Sequence, residues 1–312
     1  MSLMPAREFA QTSIAAPGII GVDWEERVDF NRLRDYRIGR AKEALAKSDL
    51  GAVLVFESSN IRYLTSTHIG TWGYNKTERW ALLTRTGEPW IWDFGSAAKN
   101  HRMYSPWLNP DQSRGGNNGL QGAIAPTSGL PFGTAAEIAA ILKEEGVFGM
   151  PLGVDVVEMP MLRELEAAGI DVRDGQQVML DAREIKNKAE ILLLSQAAAM
   201  VDGVYQDIYE FLKPGVREND VVALATKRLL EMGSEQVEAI NSIAGERCSP
   251  HPHVFSDRYI RPGDQAYFDI IHSFNGYRTC YYRTFAVGRA TQAHRDAYKK
   301  ARELIDNAIA LV

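Results

Sequence analysis

GDQAYFDIIHSFNGYRTCYYRTFAVG, residues 263–288, is the stretch on which the fold turns. Two runs rich in aromatic and β-branched residues flank Asn275-Gly276, the dipeptide that best tolerates the positive φ angles of a two-residue hairpin turn. Pairing Phe274 with Tyr277 across that turn sets the register of the ribbon. Asp269 then lies opposite Tyr282 and diagonal to Cys280, on one face, because side chains alternate along a strand. Diagonal partners sit roughly 7–8 Å apart, close enough to converge on one ion or one substrate atom. A lone carboxylate flanked by Phe268, Ile270 and Ile271 is costly to desolvate unless a cation or hydrogen-bond donors surround it. Asp269 is thus the first candidate site residue, a structural hydrogen bond being the plainer alternative. Cys280 is the second, with apolar filling as its alternative. His272 falls on the opposite face by the same alternation and reads as structural.

Upstream of the hairpin, SPHPHVFSDRYIRPGD (249–264) carries His251 and His253 on either side of Pro252. An extended segment would point both imidazoles the same way, towards a substrate; a loop-capping role is the alternative. Before it, an amphipathic helix over 188–212 is stopped by Lys213-Pro214-Gly215, and a second over 217–231 ends at Gly233. Strands are expected at 236–243, 265–273 and 278–287, and a last helix from Thr291 to Val312.

The first half reads differently. Residues 1–28 show no clear periodicity and read as an arm, and a helix spans Leu33 to Leu45. GAVLVFE (51–57), ALLTR (81–85), EPWIWDF (88–94) and 152–156 read as strands, with helices at 134–145 and 160–168. The alternation argues an α/β domain with helices on the faces of a mixed sheet. A boundary near 178–185 divides the chain into domains 1–180 and 181–312. All six tryptophans precede residue 108, whereas three of the six histidines crowd into 251–272. Packing aromatics and candidate chemistry are therefore segregated.

Composition removes several function classes. The chain has 312 residues, 45% of them hydrophobic, and a net charge of −5 from 35 basic and 40 acidic residues. That balance asks for neither nucleic acid nor an anionic membrane. The longest apolar runs, such as AVLVF at 52–56, fall short of the ~18–20 residues of a membrane span. No signal-peptide pattern opens the chain, so Cys248 and Cys280 are expected as reduced thiols in a cytoplasmic protein.

The hairpin resembles that of the pita-bread hydrolases (methionine aminopeptidase, aminopeptidase P, prolidase and the metal-free creatinase). The matching positions are Gly263-Asp264, Asp269, Gly276-Tyr277, Thr279, Arg283-Thr284-Phe285 and Gly288, with Ser256, Asp257, Arg258 and Ile260 upstream. NIRYLTS (60–66) and REIKNKAEILLL (183–194) also look like motifs of the family. The resemblance implies an α/β N-terminal domain followed by an α+β pita-bread catalytic domain, of which the chain holds the first half. Half a repeat leaves an unpaired sheet edge, so the chain reads as a piece of a longer protein. The resemblance also implies a homodimer, and places His251 or His253 near the family's substrate-binding histidine.

One departure stands out. Cys280 falls where the dimetal members carry their second metal-bridging aspartate. A thiolate suits zinc and disfavours manganese-type sites. Asp269 and Cys280 are the candidate ligands for a divalent metal (Zn, Mn or Fe), and a metal-free site is the other expectation. Function then reads as hydrolysis of a C–N bond, amide or guanidino, in a small molecule or dipeptide, as an Xaa-Pro dipeptidase or creatinase would perform it. His251, His253 and Asp269 are the candidate catalytic residues. The alternatives are an eliminase similar to the dimethylsulfoniopropionate lyases of this fold, and a non-catalytic member. Arg283 is expected to buttress carboxylates. Trp72, Tyr74 and Trp80 are expected to pack in a core rather than to close a site.

Overall fold

A computed structural model describes residues 27–70, 76, 78–117, 119 and 122–312. Residues 1–26 of the arm expected over 1–28, and Trp72 and Tyr74, lie outside the described residues. The chain divides into two compact units. The first takes residues up to 68 and from 73 to 189; the second takes 69–72 and 190–312.

In the first unit α1 (Phe30–Lys47), β1 (Ala52–Val55), α2 (Ser58–Thr65), β2 (Trp80–Thr84), β3 (Trp90–Asp93), α3 (Gly95–Tyr104) and β4 (Ser113–Gly115) come first. They are followed by α4 (Leu130–Glu144), β5 (Leu152–Val154), α5 (Met159–Ala167), β6 (Val172–Asp174) and α6 (Gln176–Glu184). The strands form one mixed sheet in the order β4-β3-β2-β1-β5-β6. Alternation sorts its side chains into two cores. Ala52, Leu54, Trp80, Leu82 and Trp92 pack with Ile138 and Leu142 of α4 and Leu165 of α5. Val53, Val55, Ala81, Leu83 and Ile91 pack with Ala41 and Leu45 of α1, Ile61 of α2 and Met179 of α6. Trp80 is a core residue, stacked on Trp92 with ring centroids 5.9 Å apart.

The unit ends at 189, later than the 180/181 boundary read from the sequence. The reason is α6, a helix that periodicity did not reveal. Arg40 on α1 reaches the carbonyls of Asp181 and Ala182, and Tyr63 on α2 donates to Ala182 O at 2.9 Å. Those bonds satisfy the helix's terminal carbonyls and tie it to the first unit.

The second unit is built from α7 (Lys188–Phe211), α8 (Glu218–Glu231), β7 (Gln236–Ala244), β8 (Gln265–Phe274), β9 (Tyr277–Ala286) and α9 (Gln292–Ile309). Its three strands make an antiparallel sheet, β7-β8-β9. Ala266, Phe268 and Ile270 of β8 point to one face and bury against Met200, Val204 and Ile208 of α7 and Val221, Ala225 and Leu229 of α8. The intervening residues, Tyr267, Asp269 and Ile271, point to the other face. Every strand expected in this half is present, with ends shifted by a residue or so.

Candidate functional site

The turn Asn275-Gly276 adopts φ of 49° and 84°, the double positive φ that its sequence favours. Register follows as expected: Phe274 pairs with Tyr277, Asp269 with Tyr282 and Ile271 with Cys280. Asp269, only 2% exposed, therefore shares a face with Tyr282 and Cys280. Its desolvation is compensated by donors. Asn241 on β7, paired with it in the sheet, donates from Nδ2 to Oδ2 at 3.0 Å. The Cys280 thiol donates to Oδ1 at 3.3 Å. Tyr282, paired with Asp269 across the ribbon, lies beside the same carboxylate. Burial, reinforced by the neighbouring Asp269 carboxylate, pushes the Tyr282 phenol up to about 12 and the Cys280 thiol up to about 11. Both therefore keep their protons near neutral pH and stay donors.

The histidines arrive on the loop between β7 and β8. Backbone at His253 turns left-handed, with φ of 48°, so the segment is not the extended one expected. The two imidazoles nonetheless come together, stacked with ring centroids 3.8 Å apart. His251 Nε2 lies 3.0 Å from the Tyr282 hydroxyl, and its Nδ1 lies 2.7 Å from the Tyr267 hydroxyl. His253 is exposed. A non-glycine residue held at positive φ costs energy, and such residues gather at functional sites.

Glu218, the first residue of α8 and fully buried, holds this loop at both ends. Oε1 accepts from Ala244 N at 2.8 Å, where the loop leaves β7. Oε2 accepts from Ser256 N at 2.9 Å and from Ser256 Oγ at 2.7 Å, where the loop returns, and pairs with Arg247 between them. Position at a helix N-terminus further favours the charge. Beyond the loop, Arg258 pairs with Asp264 at 2.7 Å and with Glu246 at 2.6 Å. The SDR and GD segments are thus scaffolding for the histidine loop.

His272 lies on the helix-packed face, as alternation required. Its Nε2 bonds Ala197 O at 2.9 Å and its Nδ1 meets Ser234 Oγ at 3.0 Å, while burial lowers its pKa and keeps the ring neutral. Arg283 buttresses a carboxylate, but that of Asp202 on α7 at 3.4 Å, and it stacks over Tyr281. Cys248 is unpaired, with Sγ 3.4 Å from Gln265 O. Four residues that were not among the candidate site residues complete the cluster: Asn241, Tyr267, Tyr282 and Glu218. Tyr282 and Tyr267 were accessible from alternation alone, since both share the face of Asp269. Glu218 carried no local signal.

Residues 193–312 match the family model described as metallopeptidase family M24. Residues 193–312 form an M24 domain. Across the longer alignment, the chain is 28% identical over 252 residues to the dimethylsulfoniopropionate lyase DddP of Roseovarius nubinhibens, covering 77% of this chain and 55% of that protein. It is 31% identical over 145 residues to the probable dipeptidase PepE of Mycobacterium tuberculosis, covering 45% and 39% of the two chains. Among solved structures, the prolidase of Thermococcus sibiricus superposes with a TM-score of 0.67 at 24% identity, over 88% of this chain and 71% of that one. The chain spans about half the length of the DddP relatives it matches. The fold is that of the pita-bread enzymes, preceded by an α/β unit.

The M24 family implies a divalent metal, and the donors of this domain test the fit. Among the described residues no three His, Cys, Asp or Glu side chains come together as a metal cluster. Asp269 and Cys280 do meet, the thiol donating to the carboxylate at 3.3 Å. A metal bound there would have to displace that proton, since a coordinating cysteine is a thiolate. The described residues do not by themselves make a metal centre.

Proposed function

We propose that the M24 domain hydrolyses a C–N bond, amide or guanidino, in a small molecule such as an Xaa-Pro dipeptide or a creatine-like compound. The observation that carries this reading is the meeting of a buried, donor-bound carboxylate with a stacked histidine pair on one open sheet face. Asp269 orients the reacting centre. The His251–His253 pair takes a proton from the attacking water as the C–O bond forms, and returns it to the leaving nitrogen as the C–N bond breaks. Both free cysteines accord with a cytoplasmic location, and a homodimer follows from the family resemblance.

A second reading has one observation in its favour: the relative aligned over 77% of the chain is a dimethylsulfoniopropionate lyase. In an elimination the same imidazole pair would remove a proton from carbon instead of from water. Incubating the intact protein with Xaa-Pro dipeptides, creatine and dimethylsulfoniopropionate separates the two. Release of a free amine supports hydrolysis, and release of dimethyl sulfide supports elimination. In either case Asp269→Ala should abolish turnover while circular dichroism stays native. Retained activity in that variant would falsify the assignment of Asp269.

A further inference from the structure

Hydrogen-bond directions in the cluster are determined by groups that can only donate. The backbone N–H of His253 points at His251 Nδ1 at 3.4 Å. An amide N–H cannot accept, so Nδ1 carries a lone pair and the neutral ring bears its proton on Nε2. The Tyr267 hydroxyl must then donate to Nδ1, and Nε2–H must donate to the Tyr282 oxygen. Tyr282 accepts from the ring and keeps its own proton free, beside the Asp269 carboxylate. The chain of bonds therefore runs one way, from Tyr267 through His251 to Tyr282. Asp269 is itself held by Asn241 and Cys280, which donate to its carboxylate.

A histidine with both nitrogens engaged has no free position for a reacting atom. His253 stacks on it, exposed, and no hydrogen bond of its own ring ties it to the described residues. We infer that Tyr282 and Tyr267 are positioning residues that lock His251 in its Nε2–H form, and that His253 is the imidazole that meets the substrate. This rests on the reading of the site as catalytic, and it divides between two residues what that reading gave to the pair. The stacked His253 is held over the ring of His251 on the exposed side of the cluster.

The test separates the brace from the reaction. Intact protein labelled with ¹⁵N-histidine is compared with Tyr282→Phe and Tyr267→Phe, without substrate. The unsubstituted protein should show a protonated Nε2 at His251 with a slowly exchanging proton. Tyr282→Phe should lose that protected proton. Tyr267→Phe should keep it and shift only the Nδ1 resonance, so one variant is informative if the other fails to fold. A proton on Nδ1 in the unsubstituted protein, or a His251 spectrum unchanged in both variants, overturns the brace. On whichever substrate is turned over, Tyr282→Phe should lower kcat roughly 100-fold with KM nearly unchanged, the size expected of lost orientation. His253→Gln should remove turnover while leaving the His251 spectrum intact; a fully active His253→Gln overturns its role at the substrate. If no compound is turned over, the NMR arm still decides the brace, and only the catalytic reading falls.

Discussion

Asp269 and Cys280 show how one side chain sets the chemistry of another. Two donors converge on the carboxylate, and the thiol is one of them. Burial and the neighbouring carboxylate both disfavour a second negative charge, so the thiol is pushed up from its ordinary 9.0 to about 11. A folded-state pKa raised in this way favours the neutral form. Its stabilising contribution is present below pH 9 and lost as pH rises towards 11. Alkylation of Cys280 by iodoacetamide at pH 8 should accordingly be about 100-fold slower than that of an unperturbed cysteine peptide, because only the thiolate reacts. Mass spectrometry of timed samples reads this directly, and reaction at the peptide rate would contradict the hydrogen bond to Asp269. How much of this was legible beforehand depended on register: the pairing of Asp269 with Tyr282 follows from Asn275-Gly276 and counting. That the Cys280 thiol donates to Asp269 does not follow from counting, because a strand position fixes a side chain's face and leaves its rotamer to the neighbours.

At the scale of elements, the histidine loop runs from β7 to β8 and is pinned at both ends by the start of α8. Glu218 accepts from the loop where it departs, at Ala244, and where it returns, at Ser256. Removing it leaves buried N–H groups unpaired and Arg247 without its partner. Glu218→Ala should cost about 2–4 kcal/mol, each orphaned buried donor accounting for roughly 1–3 kcal/mol. Urea denaturation followed by circular dichroism measures the loss, and a change below about 1 kcal/mol would contradict the clamp. The elements themselves were mostly readable. Long amphipathic α7 and α8 and the alternating β8 and β9 carry enough residues for a period to emerge. The short β4 and β6 do not, each having three residues, and α6 was hidden where a boundary was expected.

On the scale of the whole molecule, the question is what the intact protein binds. The chain spans about half the length of the DddP relatives it matches. Within the described residues the thiol at 280 supplies a proton where an acidic side chain would supply a charge. Cys280→Asp should raise the divalent metal bound by the intact protein, measured by elemental analysis after dialysis against Mn²⁺ or Zn²⁺. Unchanged metal content would mean that the thiol is not what keeps this position metal-poor.

Local sequence alone determined the hairpin, its register and the face on which Asp269, Cys280 and Tyr282 stand. These depend on a two-residue turn and a period of two, both of which are properties of neighbouring residues. Only the tertiary structure brought His251 to Tyr282, 31 residues away, and Glu218 to Ser256, 38 away. An irregular loop has no period to read. Where its side chains point is decided by which buried charge it must close around, and that charge sits on another element.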